Sequence, residues 1–247
     1  MFKNLYVLVS IIGMVLLLGY ATTAENPQRP ASTRYEQRPP SRDGIGKIYM
    51  GREISEVMGH LAAGWLERPE REREEMPNTL IGLLKLKEGD VVADIGVGTG
   101  YIARRMSPKV GKTGTIYGVE IQQEMLDILA KKMAEEGITN IKGVLGTITD
   151  PKLPPNSVDL AIMVDVYHEF SHPYEMMRNI CSSLKVGGRV VFVEYRLEDD
   201  SVPIKRLHKM SELQVVKEMT PHPLSWVATH DDLPWQHVII FEKVAGE

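Results

Sequence analysis

The run Asp94-Ile95-Gly96-Val97-Gly98-Thr99-Gly100 constrains this chain more than any other segment. It closes a short apolar stretch, residues 90–95, and opens a helix-like one, residues 100–107. An apolar run of that length, bounded by glycines, fits a strand buried on both faces. Glycines at its exit allow the sharp turn into a helix and let a ligand approach the backbone closely. A sheet of such strands needs helices on both faces, so this one loop already points to an α/β architecture.

The rest of the chain repeats the pattern. Strand-like stretches recur at residues 115–120, 141–145, 158–164 and 189–195, with helix-like stretches at 122–136 and 173–185. In the 122–136 helix Met125, Leu126, Leu129 and Met133 share one face, and Gly137 supplies a C-terminal stop. Repeated β-α-β units with right-handed crossovers predict an open, doubly wound, mostly parallel sheet. A further helical stretch is expected near 205–219. Strands at 225–229 and 237–242 then bring the sheet to seven and sit close enough to pair as an antiparallel hairpin. That ending is atypical for nucleotide-binding dehydrogenases.

With 247 residues, 43% of them hydrophobic and 25% charged, the chain suits one such domain plus extensions. A formal charge of −4 gives nucleic acid no basic surface to bind, so no nucleic-acid partner is expected. The single cysteine, Cys181, excludes an intramolecular disulfide and the cysteine-based zinc and redox motifs. Its place in an apolar helix pattern reads as an inert buried thiol.

Residues 1–24 combine Lys3, an apolar run over 5–21 and the small residues Thr22, Thr23 and Ala24. They read either as a secretory signal cleaved after Ala24 or as an uncleaved membrane anchor at the short edge of a span. Both readings predict an exported or membrane-associated protein of the cell envelope. Sidedness stays open, because Arg29, Arg34, Arg38 and Arg42 follow the apolar run while Lys3 precedes it. Residues 25–46, rich in Pro, Arg, Ser and Gln, read as a disordered linker. Residues 47–82 read as an N-terminal helical cap and 83–247 as the main domain. Within the cap, the charge-dense run after Pro69 has the spacing of a solvated helix face.

Spacing narrows the ligand. Dinucleotide-binding loops follow G-x-G-x-x-G, whereas here the third glycine comes one residue early and Tyr101 takes its place. A pyrophosphate would repel Asp94, while an amino-acid ammonium could be held by it, directly or through water. The next strand ends at Glu120, where a carboxylate can accept hydrogen bonds from both hydroxyls of a ribose.

These residues resemble the class I S-adenosylmethionine-dependent methyltransferases, of the small-molecule type. The resemblance runs over residues 83–242. It rests on residues 92–100, on Tyr117-Gly118-Val119-Glu120, on the stretch from Leu153 to Leu160 and on that from Leu184 to Val190. It implies the Rossmann-like methyltransferase fold, S-adenosyl-L-methionine as cofactor, and methyl transfer to a small-molecule acceptor. It further implies that Gly96, Gly98 and Gly100, with Tyr101 behind them, face the methionine moiety. Glu120 would hold the ribose and Ile121 would pack on the adenine. Where many members carry Gly-Asp after the third strand, this chain has Gly146-Thr147, so Thr147 stands in provisionally for the adenine contact. An N-terminal helix closes over the cofactor in this fold, which makes His60, Trp65 and Arg68 candidates for a lid.

The fourth strand runs into Asp165-Val166-Tyr167-His168-Glu169-Phe170-Ser171-His172. Ligands collect beyond the carboxyl ends of parallel strands, so Asp165, Tyr167, His168 and Glu169 are the candidates beside the reacting methyl group. His168 has the reference pKa to take a proton from an attacking hydroxyl, amine or thiol; packing against the neighbouring helix is its structural alternative. Methyl transfer is an in-line displacement that proximity and orientation can largely drive, so no catalytic dyad is required. His168, His208 and His237 with Glu169 lack any recognised ligand spacing, and no metal is expected. Two other readings remain: a non-catalytic S-adenosylmethionine-binding module and a nicotinamide-dependent oxidoreductase. The second calls for G-x-G-x-x-G and has no use for a terminal hairpin.

Overall fold

The computed structural model describes residues 34–245, so the expected signal or anchor over residues 1–24 lies outside the described residues. Among the described residues, no helix is long and apolar enough to cross a membrane.

The N-terminal part departs from expectation. β1 (Tyr35–Gln37), β2 (Gly44–Tyr49) and β3 (Arg52–Ser55) form a three-stranded antiparallel sheet. From residue 35 onward the expected linker is therefore partly strand, and the expected helical cap begins as sheet. The cause is a small core: Tyr49 and Ile54 are buried with Tyr174, and Tyr35 packs beside them. The Tyr35 hydroxyl also donates to Glu175 Oε2 at 2.5 Å, tying the sheet to the main domain. Helical structure follows only after a 3-10 turn at His60–Ala62, in three short pieces. These are α1 (Ala63–Leu66), α2 (Arg71–Glu74) and α3 (Pro77–Leu83).

The main domain has the expected architecture. Its strands are β4 (Val91–Ile95), β5 (Thr115–Glu120), β6 (Ile141–Leu145), β7 (Val158–Val164), β8 (Leu184–Tyr195), β9 (Leu224–His230) and β10 (Gln236–Lys243). The helices are α4 (Tyr101–Val110), α5 (Gln123–Glu136), α6 (Pro173–Ser183) and α7 (Glu212–Met219). The strands lie in the order β6-β5-β4-β7-β8-β10-β9, with β10 antiparallel to both neighbours. Side chains alternate across the sheet as the pleat requires. Val92, Leu160, Ile162, Val191 and Val193 face α3, α4 and α5, while Ala93, Ala161, Met163 and Phe192 face α6 and α7. Cys181 is buried on α6, and burial pushes its thiol up to about 12, in keeping with an inert group.

One helix is shorter than expected. Met210 N–H donates to the Tyr195 carbonyl and residue 210 bridges Arg196, which holds this stretch extended against the sheet end. α7 therefore starts only at Glu212, where the Ser211 side chain caps it by accepting from Gln214 N–H at 3.1 Å.

Strand order reverses between β4 and β7, and β5 lies on the far side of β4. A crevice opens at such a switch point, beyond the carboxyl ends of the strands. The glycine loop leaves β4 there, and the Asp165–Ser171 loop leaves β7 beside it.

Candidate active site

The crevice is a cavity of about 650 Å³, and its walls come from three sources. Gly96 and Gly98 form its floor, Glu120, Ile121 and Ile148 one end, and Asp165, His168, Glu169 and His208 the other. The N-terminal segment covers it with Met58, Trp65, Leu66, Arg68 and Arg71.

The glycine loop is tight because other groups occupy the space a side chain would need. Gly96 has φ +74, and a Cβ there would sit 2.4 Å from Val166 Cγ2. Gly98 has φ +52, and a Cβ would meet Leu66 Cδ1 of the cover at 2.6 Å. Gly100 is needed for packing, since its Cβ would strike Leu129 on α5.

Glu120 is held by three backbone donors. Its Oε1 accepts from the N–H groups of Ile121 (2.7 Å) and Gln122 (3.1 Å), and its Oε2 from Gly98 (3.2 Å). Burial raises its pKa and these three bonds lower it, with burial prevailing. Ile121 presents an exposed apolar face at the same end, as an adenine contact requires.

Three expected cofactor contacts are placed elsewhere. Asp94 is buried beneath the loop rather than on the cavity wall, where burial raises its carboxyl to about 7 against the pull of Arg71. Tyr101 turns away, its hydroxyl donating to Glu72 (2.8 Å) while the Arg71 and Arg105 guanidinium groups lie over its ring. Thr147 closes a local turn, its Oγ1 accepting from Asp150 N–H at 3.0 Å, and Ile148 reaches the cavity instead.

Asp165 does line the cavity. It holds a left-handed backbone conformation, φ +52, which a non-glycine residue adopts only at some cost. Its Oδ2 accepts from Gln236 Nε2 at 2.7 Å, while Oδ1 is buried with no hydrogen-bond partner. Burial, with Glu75 and Glu194 nearby, pushes this carboxyl well above the usual range.

The charge-dense run is a solvated face only in part: Glu70, Glu72 and Arg73 are exposed, but two of its members turn inward. Arg71 and Glu75 are buried and paired with each other, and Tyr195 donates its hydroxyl to Glu75 at 3.0 Å. Arg68 also pairs with Glu75, at 2.7 Å, and its guanidinium stacks 3.6 Å from the Trp65 ring. Of the expected lid residues Trp65 and Arg68 thus reach the cavity. His60 instead fastens the cover by its backbone, its N–H donating to Gln122 Oε1 at 2.9 Å.

At the other end the 3-10 turn Tyr167–Glu169 sorts its three side chains. Tyr167 points into the core, edge-on to Phe192 at 4.9 Å, with its hydroxyl on Glu218 at 2.8 Å. It is a structural residue rather than a member of the site. His168 and Glu169 turn to the cavity. His168 Nδ1 lies 2.6 Å from Glu194 Oε2, and Glu194 also accepts from Tyr167 N–H at 2.9 Å. Burial disfavours the charged imidazole, yet the Glu194 carboxylate outweighs it and raises the His168 pKa. With Nδ1–H given to Glu194, the Nε2 lone pair faces the cavity and His208, whose Nδ1 is 3.3 Å away. Burial, reinforced by His168, lowers His208 to about 4, and burial raises Glu169 to about 7. His237 stands apart on β10, opposite Glu194 in register.

β3 fixes this turn from behind. Arg52 donates to the His168 carbonyl (3.0 Å) and forms a two-bond pair with Glu218 at 2.8 and 3.0 Å. Glu194, Arg71, Glu75 and Arg52 are the site residues that sequence reasoning passed over. For Glu194 a sign was present, a carboxylate inside an otherwise apolar strand, which is tolerated only with a partner.

Residues 92–188 match the family model of the methyltransferase domain. The methyltransferase YcgJ of Bacillus subtilis is 28% identical over 138 residues, 56% of this chain and 53% of its own. The ubiquinone/menaquinone biosynthesis C-methyltransferase UbiE of Pseudomonas aeruginosa is 29% identical over 116 residues, 47% and 45% of the two chains. The chain thus spans about half the length of these relatives. Among solved structures, an S-adenosylmethionine-dependent methyltransferase from Aquifex aeolicus superposes with a TM-score of 0.72 at 21% identity. That match covers 76% of this chain and 100% of the other, and shows a shared fold.

Proposed function

We propose, from the match of residues 92–188 to the methyltransferase-domain model and from the shared fold, that this chain transfers a methyl group from S-adenosyl-L-methionine to a small-molecule acceptor. One observation carries the cofactor assignment. Beside a glycine loop with no room for side chains, Glu120 is held by three backbone N–H groups at the end of β5, where a ribose can meet it. Adenine then rests between Ile121 and Ile148. The amino-acid end lies over Gly96, where the unpartnered Asp165 Oδ1 suits the ammonium and Arg71 suits the carboxylate.

When bound, the cofactor supplies an activated methyl carbon. The chain's own residues orient the acceptor and exclude water, with Trp65, Leu66 and Arg71 closing over the crevice. His168, aligned by Glu194, presents its Nε2 lone pair to the acceptor's hydroxyl, amine or thiol and can take its proton. A cavity of about 650 Å³ lies within the range of small-molecule pockets, so what remains beside the cofactor suits a small acceptor.

Isothermal titration of the full chain tests the reading. S-adenosylmethionine and S-adenosylhomocysteine should each bind with one-to-one stoichiometry, and NADH should not. Absence of heat at millimolar S-adenosylmethionine would overturn it. Binding without turnover across acceptor panels would instead favour a non-catalytic module.

A further inference from the structure

We propose that His168, Glu169 and His208 form a site for a divalent transition-metal ion of zinc type on the acceptor side of the cavity. His168 Nε2 lies 3.3 Å from His208 Nδ1. Glu169 Oε1 lies 3.9 Å from the first and 3.8 Å from the second. Four ligands at about 2.0–2.1 Å in a tetrahedron stand about 3.4 Å apart. The histidine pair is at that spacing, and the carboxylate needs to move by only about 0.5 Å.

The donors suit the ion. Two imidazoles and one carboxylate make the three-ligand set of catalytic zinc centres, whose fourth position stays open. Here the three residues line the cavity, so the fourth position opens into it. Glu194 completes the arrangement. A carboxylate on the remote nitrogen of a ligating histidine fixes its tautomer and orientation, and Glu194 sits 2.6 Å from His168 Nδ1. Glu169 is fixed in turn by the Met58 N–H, which donates to Oε1 at 3.2 Å.

A hydrogen bond between the two histidines is the competing explanation. It would satisfy the facing nitrogens of both rings and leave Glu169 Oε1, 3.8–3.9 Å from each and beyond hydrogen-bond range of either, with only its 3.2 Å bond from the Met58 N–H. An ion gives all three atoms one task. Ligation also uses the Nε2 lone pair that would otherwise take a proton, so the two uses exclude each other.

The role of the ion rests on the methyl-transfer reading, whereas the site itself does not. An acceptor O–H or S–H bound at the open position would lose its proton to a cavity water by polarisation. The acceptor's oxygen or sulfur lone pair would then form the new bond to the methyl carbon, while the two electrons of the cofactor's S–CH3 bond would return to its sulfur and leave a neutral thioether.

The test uses the full chain, stripped with EDTA and titrated with Co2+, whose visible d–d absorption reports low-coordinate nitrogen and oxygen ligation. One Co2+ per chain, displaced by one Zn2+, is the expected result. His208→Ala and the near-isosteric Glu169→Gln should each weaken Co2+ binding about 100-fold, and Glu194→Gln about tenfold. No visible band at millimolar Co2+, or binding unchanged in His208→Ala and Glu169→Gln, would overturn the proposal. S-adenosylmethionine titration of the same samples, with circular dichroism as a fold control, separates the two readings. Cofactor binding without metal refutes this site alone, and metal without cofactor binding refutes the methyl-transfer reading alone.

Discussion

Replacing Glu120 by alanine removes the ribose contact, together with the carboxylate that three backbone N–H groups donate to. The carboxylate is already fixed by three backbone donors at 2.7, 3.1 and 3.2 Å, so cofactor binding incurs no cost for ordering it. Each hydrogen bond to a charged group contributes roughly 1.5–3 kcal/mol. The lower figure is appropriate here, because water can enter the open crevice and partly replace the lost carboxylate. Two ribose hydroxyls at that figure give about 3 kcal/mol, or roughly a 150-fold rise in Kd. Isothermal titration at 25 °C measures it directly, with a thermal melt to show that the variant remains folded. A Kd within threefold of the unaltered protein would refute the reasoning, since the ribose would then not lie at the end of β5.

Other perturbations probe the remaining parts. Burial raises Asp94 and Glu169 to about 7, so these two acids are largely protonated at pH 6, and it shifts Glu120 and Asp165 in the same direction. Stability gained from the protonated acids is full below the ordinary carboxylate range and is lost as pH rises through about 7. A cationic sulfonium favours their charged forms, so its binding should release protons at pH 6 and tighten toward pH 7.5. Titration heats should then vary with buffer ionisation enthalpy, more for S-adenosylmethionine than for S-adenosylhomocysteine; buffer-independent heats would contradict this. His168→Ala should cut turnover by about 10²–10⁴-fold and leave cofactor affinity unchanged. S-adenosylhomocysteine release over a panel of phenol, thiol and amine acceptors reads it, and unaltered turnover would return His168 to a packing role. Glu218→Ala leaves Arg52 buried without its partner, at a cost of about 3–5 kcal/mol. For a domain of this size that lowers Tm by about 10 °C in a calorimetric melt, and a fall under 3 °C would show that the pair does not hold β3 in place.

The main domain was legible because its signals are local. Each parallel strand is a short apolar run, and the glycines at 96, 98 and 100 mark a turn that few other residues can make. The N-terminal sheet was not. β1 and β3 are only three and four residues long, set among Pro and Arg, and become strands through burial of Tyr49 and Ile54 against Tyr174. The charge-dense run was legible only on its exposed side, for a related reason. Its i,i+4 spacing is that of an exposed helix, and nothing in it tells that Arg71 and Glu75 turn inward to meet Tyr195. Around Tyr167, His168 and Glu169 the sequence marks the right loop, but the 3-10 turn decides which side chains face the cavity. Bringing His208 against His168 from a separate turn is a tertiary event with no spacing signature.

The cofactor geometry is open to one direct measurement, a crystal structure of the full chain with S-adenosylhomocysteine. The account predicts both ribose hydroxyls within hydrogen-bond distance of Glu120, adenine against Ile121 and Ile148, and the amino-acid group over Gly96 beside Asp165. A nucleoside bound away from Glu120, or a crevice that takes up none at saturating ligand, would contradict it.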